Sequence, residues 1–313
     1  MTYIALSARA RPRAPRFAFH GLALCAAAAV MACSSDDDPE SEPEVVRTAL
    51  SPVEQENIAI AKRVLEEGLI GGDTAVIDEL VREDYIQHNV QAEDGRAGLL
   101  AFVAFLQTQP DNAVEFHREL ANGDYVALHS TYGTGDNRTV AFDVFRLVDG
   151  QLAEHWDALT PWVDPSRTES GNSLVDGETE VSDRPRTERN QTLVMNMVRD
   201  IFVERDFGRL PVYVQPDDFT QHNPEADDGF EGLAEYFLAL NSQGIEIRYT
   251  ESPLVVADGN FVLVGSEGYY GTPDDFTVFY DLFRVEDERV VEQWNVLVPN
   301  LDVDAIPHDN GVF

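Results

Sequence analysis

The stretch Tyr85-Ile86-Gln87-His88-Asn89 returns, with its Gln-His-Asn intact, as Phe219-Thr220-Gln221-His222-Asn223. Outward from it, Asp94-Gly95 answers to Asp228-Gly229, and Gly98-Leu99 to Gly232-Leu233, at the same offset. Further on, Phe142-Asp143-Val144-Phe145-Arg146 returns as Tyr280-Asp281-Leu282-Phe283-Arg284, and Glu154-His155-Trp156-Asp157 as Glu292-Gln293-Trp294-Asn295. The order is kept throughout, which is the signature of a tandem repeat. The chain is therefore expected to carry one small domain twice, over residues 51–163 and 187–303. A polar linker at 164–186 would join the copies and a tail at 304–313 would follow them.

Each copy opens with helices. Ser51-Pro52-Val53-Glu54 has a serine cap, proline at the first helical position and glutamate at the third, a capping box. Ile58, Ala61, Leu65 and Leu69 then recur at helical spacing, as do Val194, Met197, Ile201 and Phe202 in the second copy. A second helix follows each Asp-Gly, with Leu99, Phe102, Val103 and Leu106 in one and Leu233, Tyr236, Phe237 and Leu240 in the other. Strand runs come next, at 114–120, 125–132, 139–147 and 151–160, and again at 245–250, 261–270, 276–285 and 289–298, separated by turn residues. Helices followed by a run of antiparallel strands predict an α+β fold. The linker, if flexible, spans on the order of 25–30 Å, enough for the two sheets to meet face to face.

The beginning of the chain reads as an export signal. Arg9, Arg11, Arg13 and Arg16 precede a short apolar run, and Val30-Met31-Ala32-Cys33 looks like a bacterial lipobox. Residues 1–32 are thus expected to be cleaved and Cys33 acylated, with residues 33–50 an acidic disordered tether. The protein would be lipid-anchored in the cell envelope, touching membrane only through Cys33. Cys25 leaves with the signal, so the mature domains have no thiol for a disulfide or a nucleophile. The net charge of −35 falls to −39 once the four signal arginines go. Such a field repels nucleic acid, and no nucleic-acid partner is expected.

The chemistry gathers in the last hairpin of the first copy. Val148-Asp149-Gly150 reads as a three-residue loop with Gly150 in the left-handed position of a bulge. That register sets Asp143 opposite His155 and Phe145 opposite Ala153, with Asp157 further along the same face. Phe142, Val144, Arg146, Glu154 and Trp156 take the other face, with an Arg146–Glu154 pair across the strands. A two-residue loop would shift the register and carry Asp143 away from His155 and Asp157. Two neighbouring carboxylates in a partly desolvated site raise one pKa, which makes a usable acid or base near neutrality. The seven histidines show no metal-ligand spacing, and no phosphate loop, dinucleotide fingerprint or serine elbow is present. No metal and no cofactor are expected.

These motifs together resemble the SnoaL-like polyketide cyclases of the nuclear transport factor 2-like superfamily. The resemblance implies cone-shaped domains, each a curved antiparallel sheet wrapped on about three helices around an apolar pocket, usually paired through the sheet. It also implies a pocket aspartate that shuttles a proton in cofactor-free aldol cyclisation. Asp157 fits that role by motif, with His155, Asp143 and His88 as its companions. Tyr85, Asn89, Phe102, His129 and Phe145 are the expected ligand contacts, for a small apolar carbonyl compound. In the second copy His222 and Asp281 persist, while Gln293 and Asn295 replace His155 and Asp157. That copy is expected to be catalytically silent and to pair with the first within the chain. The competing expectation is a non-catalytic lipoprotein that uses the same fold to bind a ligand or a protein, since fold alone does not fix function.

Overall fold

Ser51 does cap the first helix. Its hydroxyl accepts from the Glu54 amide at 3.2 Å while the Ser51 amide donates to the Glu54 carboxylate at 2.7 Å. The computed structural model describes residues 47–109, 112–216 and 218–313, which form one compact unit. The expected signal, Cys33 and most of the tether lie outside the described residues. Among these residues, no helix is long and apolar enough to cross a membrane.

The first half runs α1 (Pro52–Arg63), a π-helical stretch (Val64–Ile70), α2 (Thr74–Leu80), β1 (Val81–Gln87), α3 (Gly95–Leu106), β2 (Val114–Asn122), β3 (Tyr125–Tyr132), β4 (Thr139–Val148) and β5 (Gln151–Pro161). The second half runs α4 (Thr187–Met197), a π-helical stretch (Val198–Val203), α5 (Leu210–Tyr213), β6 (Thr220–Gln221), α6 (Gly229–Ser242), β7 (Glu246–Asp258), β8 (Phe261–Gly271), β9 (Phe276–Glu286) and β10 (Arg289–Val298). The fold is α+β, with two five-stranded sheets of matching order, β1-β5-β4-β3-β2 and β6-β10-β9-β8-β7.

Three sequence expectations need correction. The sheets are mixed, because β1 runs parallel to β5 and β6 parallel to β10. β7 extends past Thr250 to Asp258; Pro253, which has no amide hydrogen to donate, sits where the pairing skips from Glu251 to Leu254. The β4–β5 loop has two residues, not three: Val148 pairs with Gln151, and Asp149 and Gly150 both take positive φ (50° and 75°), as a type I′ turn requires. The register then shifts between Arg146 and Leu147, where Ala153 is the extra residue of a bulge, so Asp143 faces Asp157 and Phe145 faces His155. The shorter loop moves the pairing one way and the bulge restores the parity. Asp143, His155 and Asp157 therefore still share one face. The β9–β10 hairpin has the same build, with Asp287 and Glu288 at positive φ and Asp281 facing Asn295.

Each sheet buries its two faces differently. On one face Ile58, Ala61, Leu65, Leu99 and Val103 pack with Leu128 and Phe145 beneath the helices. On the other, Phe142, Val144 and Trp156 join Phe261, Leu282 and Trp294 of the second sheet in one shared core. Segment 174–178 lies against this core. Arg118, 2% exposed, donates to the carbonyls of Val175, Asp176 and Glu178, and its guanidinium lies 3.9 Å from the centre of the Trp294 ring. The Arg146–Glu154 pair forms at 2.7 Å.

Candidate functional site

A chamber of about 220 Å³ opens between the helices and the sheet of the first half. Apolar side chains make most of its wall, among them Leu65, Leu69, Leu99, Phe102 and Phe145. The strands supply the polar groups: Tyr85, Gln87 and Asn89 from β1 and its end, Tyr132 from β3, Asp143 from β4, His155 and Asp157 from β5. Alternation along a strand puts residues two apart on one face, which is why His155 and Asp157 both point inward.

The polar groups form one network. The Tyr132 hydroxyl donates to Asp143 Oδ2 at 2.9 Å, and His155 Nε2 lies 3.4 Å from Asp143 Oδ1. His155 Nδ1 lies 3.0 Å from Gln87 Oε1, an oxygen that also accepts from the Asn89 amide at 2.9 Å. Because that oxygen can only accept, His155 carries its proton on Nδ1. The charged ring would also donate from Nε2 to the Asp143 carboxylate, which favours the protonated imidazole. Asn89 Nδ2 donates to Asp157 Oδ2 at 2.6 Å.

Charge follows from this packing. Burial draws the His155 pKa down, but the hydrogen bond to Asp143 and the charges of Asp157 and Asp143 outweigh it and leave the imidazole above its ordinary value. Asp157 is pushed up to about 6, chiefly by burial and then by the Asp143 charge, against the opposing pull of His155 and Asn89. Donor atoms of Asp143, His155 and Asp157 lie within 4.8 Å of one another, a set that a divalent cation could use. Each of the three already has a hydrogen-bond partner within the network.

Tyr85, Asn89, Phe102 and Phe145 all line the chamber. His88 does not, and its expected place beside Asp157 is corrected. One position from Gln87 and Asn89, it takes the other face of the strand, where it stacks on Trp156 at 5.0 Å and lies 3.0 Å from Glu154 Oε1. His222 repeats the arrangement on Trp294 and Glu292. His129 is likewise no chamber residue. It pairs with Phe142 across the strands, stacks on that ring at 4.4 Å and accepts from Arg118. Burial, then the Arg118 charge, hold its pKa well below the ordinary value. Gln87 and Tyr132 were missed. Strand parity is the signal for both, since Gln87 lies two positions from Tyr85 and Tyr132 four from the inward Leu128.

The second half has the same frame and almost no chamber. Its cavity is about 20 Å³. Phe202 stacks on Tyr249 at 4.7 Å, and Tyr249 packs on Phe279 at 4.5 Å, filling the space. By strand register Phe279 stands where the first half has Ala141, and by the matching turn bonds Gly71–Glu66 and Glu204–Arg199, Phe202 stands where it has Leu69. Asp281 accepts from the Tyr249 hydroxyl at 2.6 Å and from Gln293 Nε2 at 3.0 Å, and burial raises its pKa to about 6. Neither Gln293 nor Asn295 can exchange a proton with it.

Residues 61–155, which carry most of this site, match the family model described as a SnoaL-like domain. Among solved structures, the chain is similar to a SnoaL-like polyketide cyclase candidate from Jannaschia sp. CCS1, with 24% identity and a TM-score of 0.32 over 36% of this chain and 91% of that one. It is also similar to IdmH, a polyketide cyclase candidate from Streptomyces antibioticus, with 22% identity and a TM-score of 0.30 over 33% and 91%. An LEH-like epoxide hydrolase of M. tuberculosis gives 22% and 0.30 over 35% and 86%. No curated protein matches the chain.

Proposed function

We propose that the first half is a cofactor-independent acid–base enzyme of the aldol cyclase or isomerase type, acting on a small apolar carbonyl compound. The observation that carries this reading is the convergence of Asp157, His155 and Asp143 on one apolar chamber. At about 220 Å³ that chamber is smaller than the roughly 300–1,000 Å³ of drug-sized sites, which favours a small substrate. Asp157, titrating near 6, is ionised at neutral pH and takes a proton from the carbon beside the substrate carbonyl. The His155–Asp143 pair holds a proton within reach of the developing oxyanion, and Tyr132 and Gln87 fix that pair in place. Asn89 orients the carboxylate that accepts the proton. The second half, with its chamber filled and Gln293 and Asn295 in place of a base, supplies a packing surface and no turnover. Attachment to the envelope through an acylated Cys33 belongs to the same proposal and rests on the Val30–Cys33 motif.

The experiment is turnover and binding by Asp157→Asn, once a substrate has been captured by mass spectrometry of what the purified protein retains. A positioned base is worth typically 10²–10⁴-fold, so kcat should fall by about that factor with ligand affinity nearly unchanged. A chelator should leave the rate of the parent protein unaltered. Full activity in the variant, or loss of activity to the chelator, contradicts the mechanism.

A further inference from the structure

Two segments that read as linker and tail make the same set of contacts on opposite halves. After β5, Asp164 caps a single turn of 3₁₀ helix, and after β10, Asp302 caps another. Each segment then crosses to the other half. From the C-terminal segment, Asn310 Nδ2 donates to the Gln87 carbonyl at 3.0 Å and to Asp94 Oδ1 at 2.8 Å, and the Gly311 carbonyl faces His88 Nδ1 at 3.2 Å. From the linker, Asn172 Nδ2 donates to the Gln221 carbonyl at 3.1 Å and to Asp228 Oδ1 at 2.9 Å, and the Ser173 carbonyl faces His222 Nδ1 at 2.7 Å. The spacing is the same throughout, Asp164 to Asn172 to Leu174 against Asp302 to Asn310 to Val312, and both Leu174 and Val312 end in the shared core.

We propose that residues 308–311 are positioning residues for the chamber of the first half, so that the site is incomplete without a strap supplied from beyond the second half. This rests on the acid–base reading above and adds to it. The strap holds the backbone of the two residues whose side chains orient the acid–base groups. Asn310 grips the Gln87 carbonyl, and the Gln87 side chain holds His155. His308 Nε2 donates to the Asn89 carbonyl at 3.0 Å, and the Asn89 side chain holds Asp157. Asp94, the second partner of Asn310, accepts from the Gln87 amide at 2.9 Å and so fixes the same corner from the other side. Release of the strap frees a turn, and the turn frees His155 and Asp157 together. The second half has its own strap, from the linker, and that corner serves as an internal control.

The test compares Asn310→Ala and His308→Ala with Asn172→Ala in the full chain, without substrate. Amide hydrogen exchange is read at residues 87–91 and 221–225, and the ¹⁵N spectrum of the His155 ring above its titration reports which nitrogen carries the proton. In the parent protein the proton is on Nδ1. Asn310→Ala and His308→Ala should speed exchange at 87–91 by roughly tenfold or more, leave 221–225 unchanged, and move the His155 ring toward a mixture of tautomers. Asn172→Ala should do the reverse, speeding 221–225 and leaving His155 alone. Equal acceleration at both corners would mean general destabilisation, and no change at 87–91 would mean an idle tail; either result overturns the proposal. Neither readout needs turnover, so a fully active Asp157→Asn would sink the acid–base reading and leave the strap to be judged on these spectra.

Discussion

Asp157 is held at a thermodynamic disadvantage by its own surroundings. Its pKa rises from 3.8 to about 6 on folding, so between those values the native protein binds more protons than the unfolded chain. Stability therefore falls as pH climbs through that window, and the cost is complete above about 6. At 1.36 kcal/mol per unit, Asp157→Asn should stabilise the protein by up to about 3 kcal/mol at pH 7 and by almost nothing at pH 4, measured by urea denaturation at both. A variant less stable than the parent at pH 7 would show that the carboxylate is held by favourable contacts instead. Under the proposed acid–base function, turnover by the parent protein should rise with pH through about 6, as expected when the base must lose its proton first. Candidate residues were legible only as far as strand parity was counted. His88 was drawn to the site by a motif present in both halves, although one step along a strand always reverses the face.

Among the elements, the last hairpin shows what sequence can and cannot fix. Asp149-Gly150 announced a turn, but the turn's length and the bulge at Ala153 were separate unknowns, and their effects cancel on the inward face. The convergence of Asp143, His155 and Asp157 was thus readable even though the pairing was not. Whether a chamber lies beneath them was not readable, because it depends on Leu69 and Ala141 standing where the other half has the rings Phe202 and Phe279. Ala141→Phe should therefore fill the first chamber as Phe279 fills the second, abolishing retention of a bound apolar ligand. Since the ring enters existing space, the cost in stability should fall at or below the 1–3 kcal/mol usual for overpacking. Thermal melting together with ligand capture checks both, and a variant that still retains ligand would show that the ring turns elsewhere.

For the molecule as a whole, the repeated motifs made the two α+β halves legible, and the aromatic outer face of each last hairpin pointed to a surface that wants covering. The parts that tie the halves together were not legible. Arg118, Asp176 and Asn310 work through backbone carbonyls or on them, and such contacts leave no periodic apolar pattern in a sequence. Arg118 has three carbonyl acceptors and a ring beneath it, and burial, its largest influence, lowers its pKa to about 10. Arg118→Ala empties a buried site and removes three hydrogen bonds, although the Asp176 carbonyl keeps Trp294 Nε1, and should destabilise the protein by about 3 kcal/mol, read from the denaturant midpoint. An unchanged midpoint would mean that water replaces the guanidinium without loss.

The central claim is that three acid–base side chains share a desolvated chamber and that one of them is poised near neutrality. Carbon-13 NMR of the aspartate carboxyls, with the Asp157 signal assigned through Asp157→Asn, tests it directly. The account predicts a midpoint for Asp157 about 6, and one that moves when Asp143 or His155 is replaced. A midpoint near 3.8, indifferent to both neighbours, would contradict it.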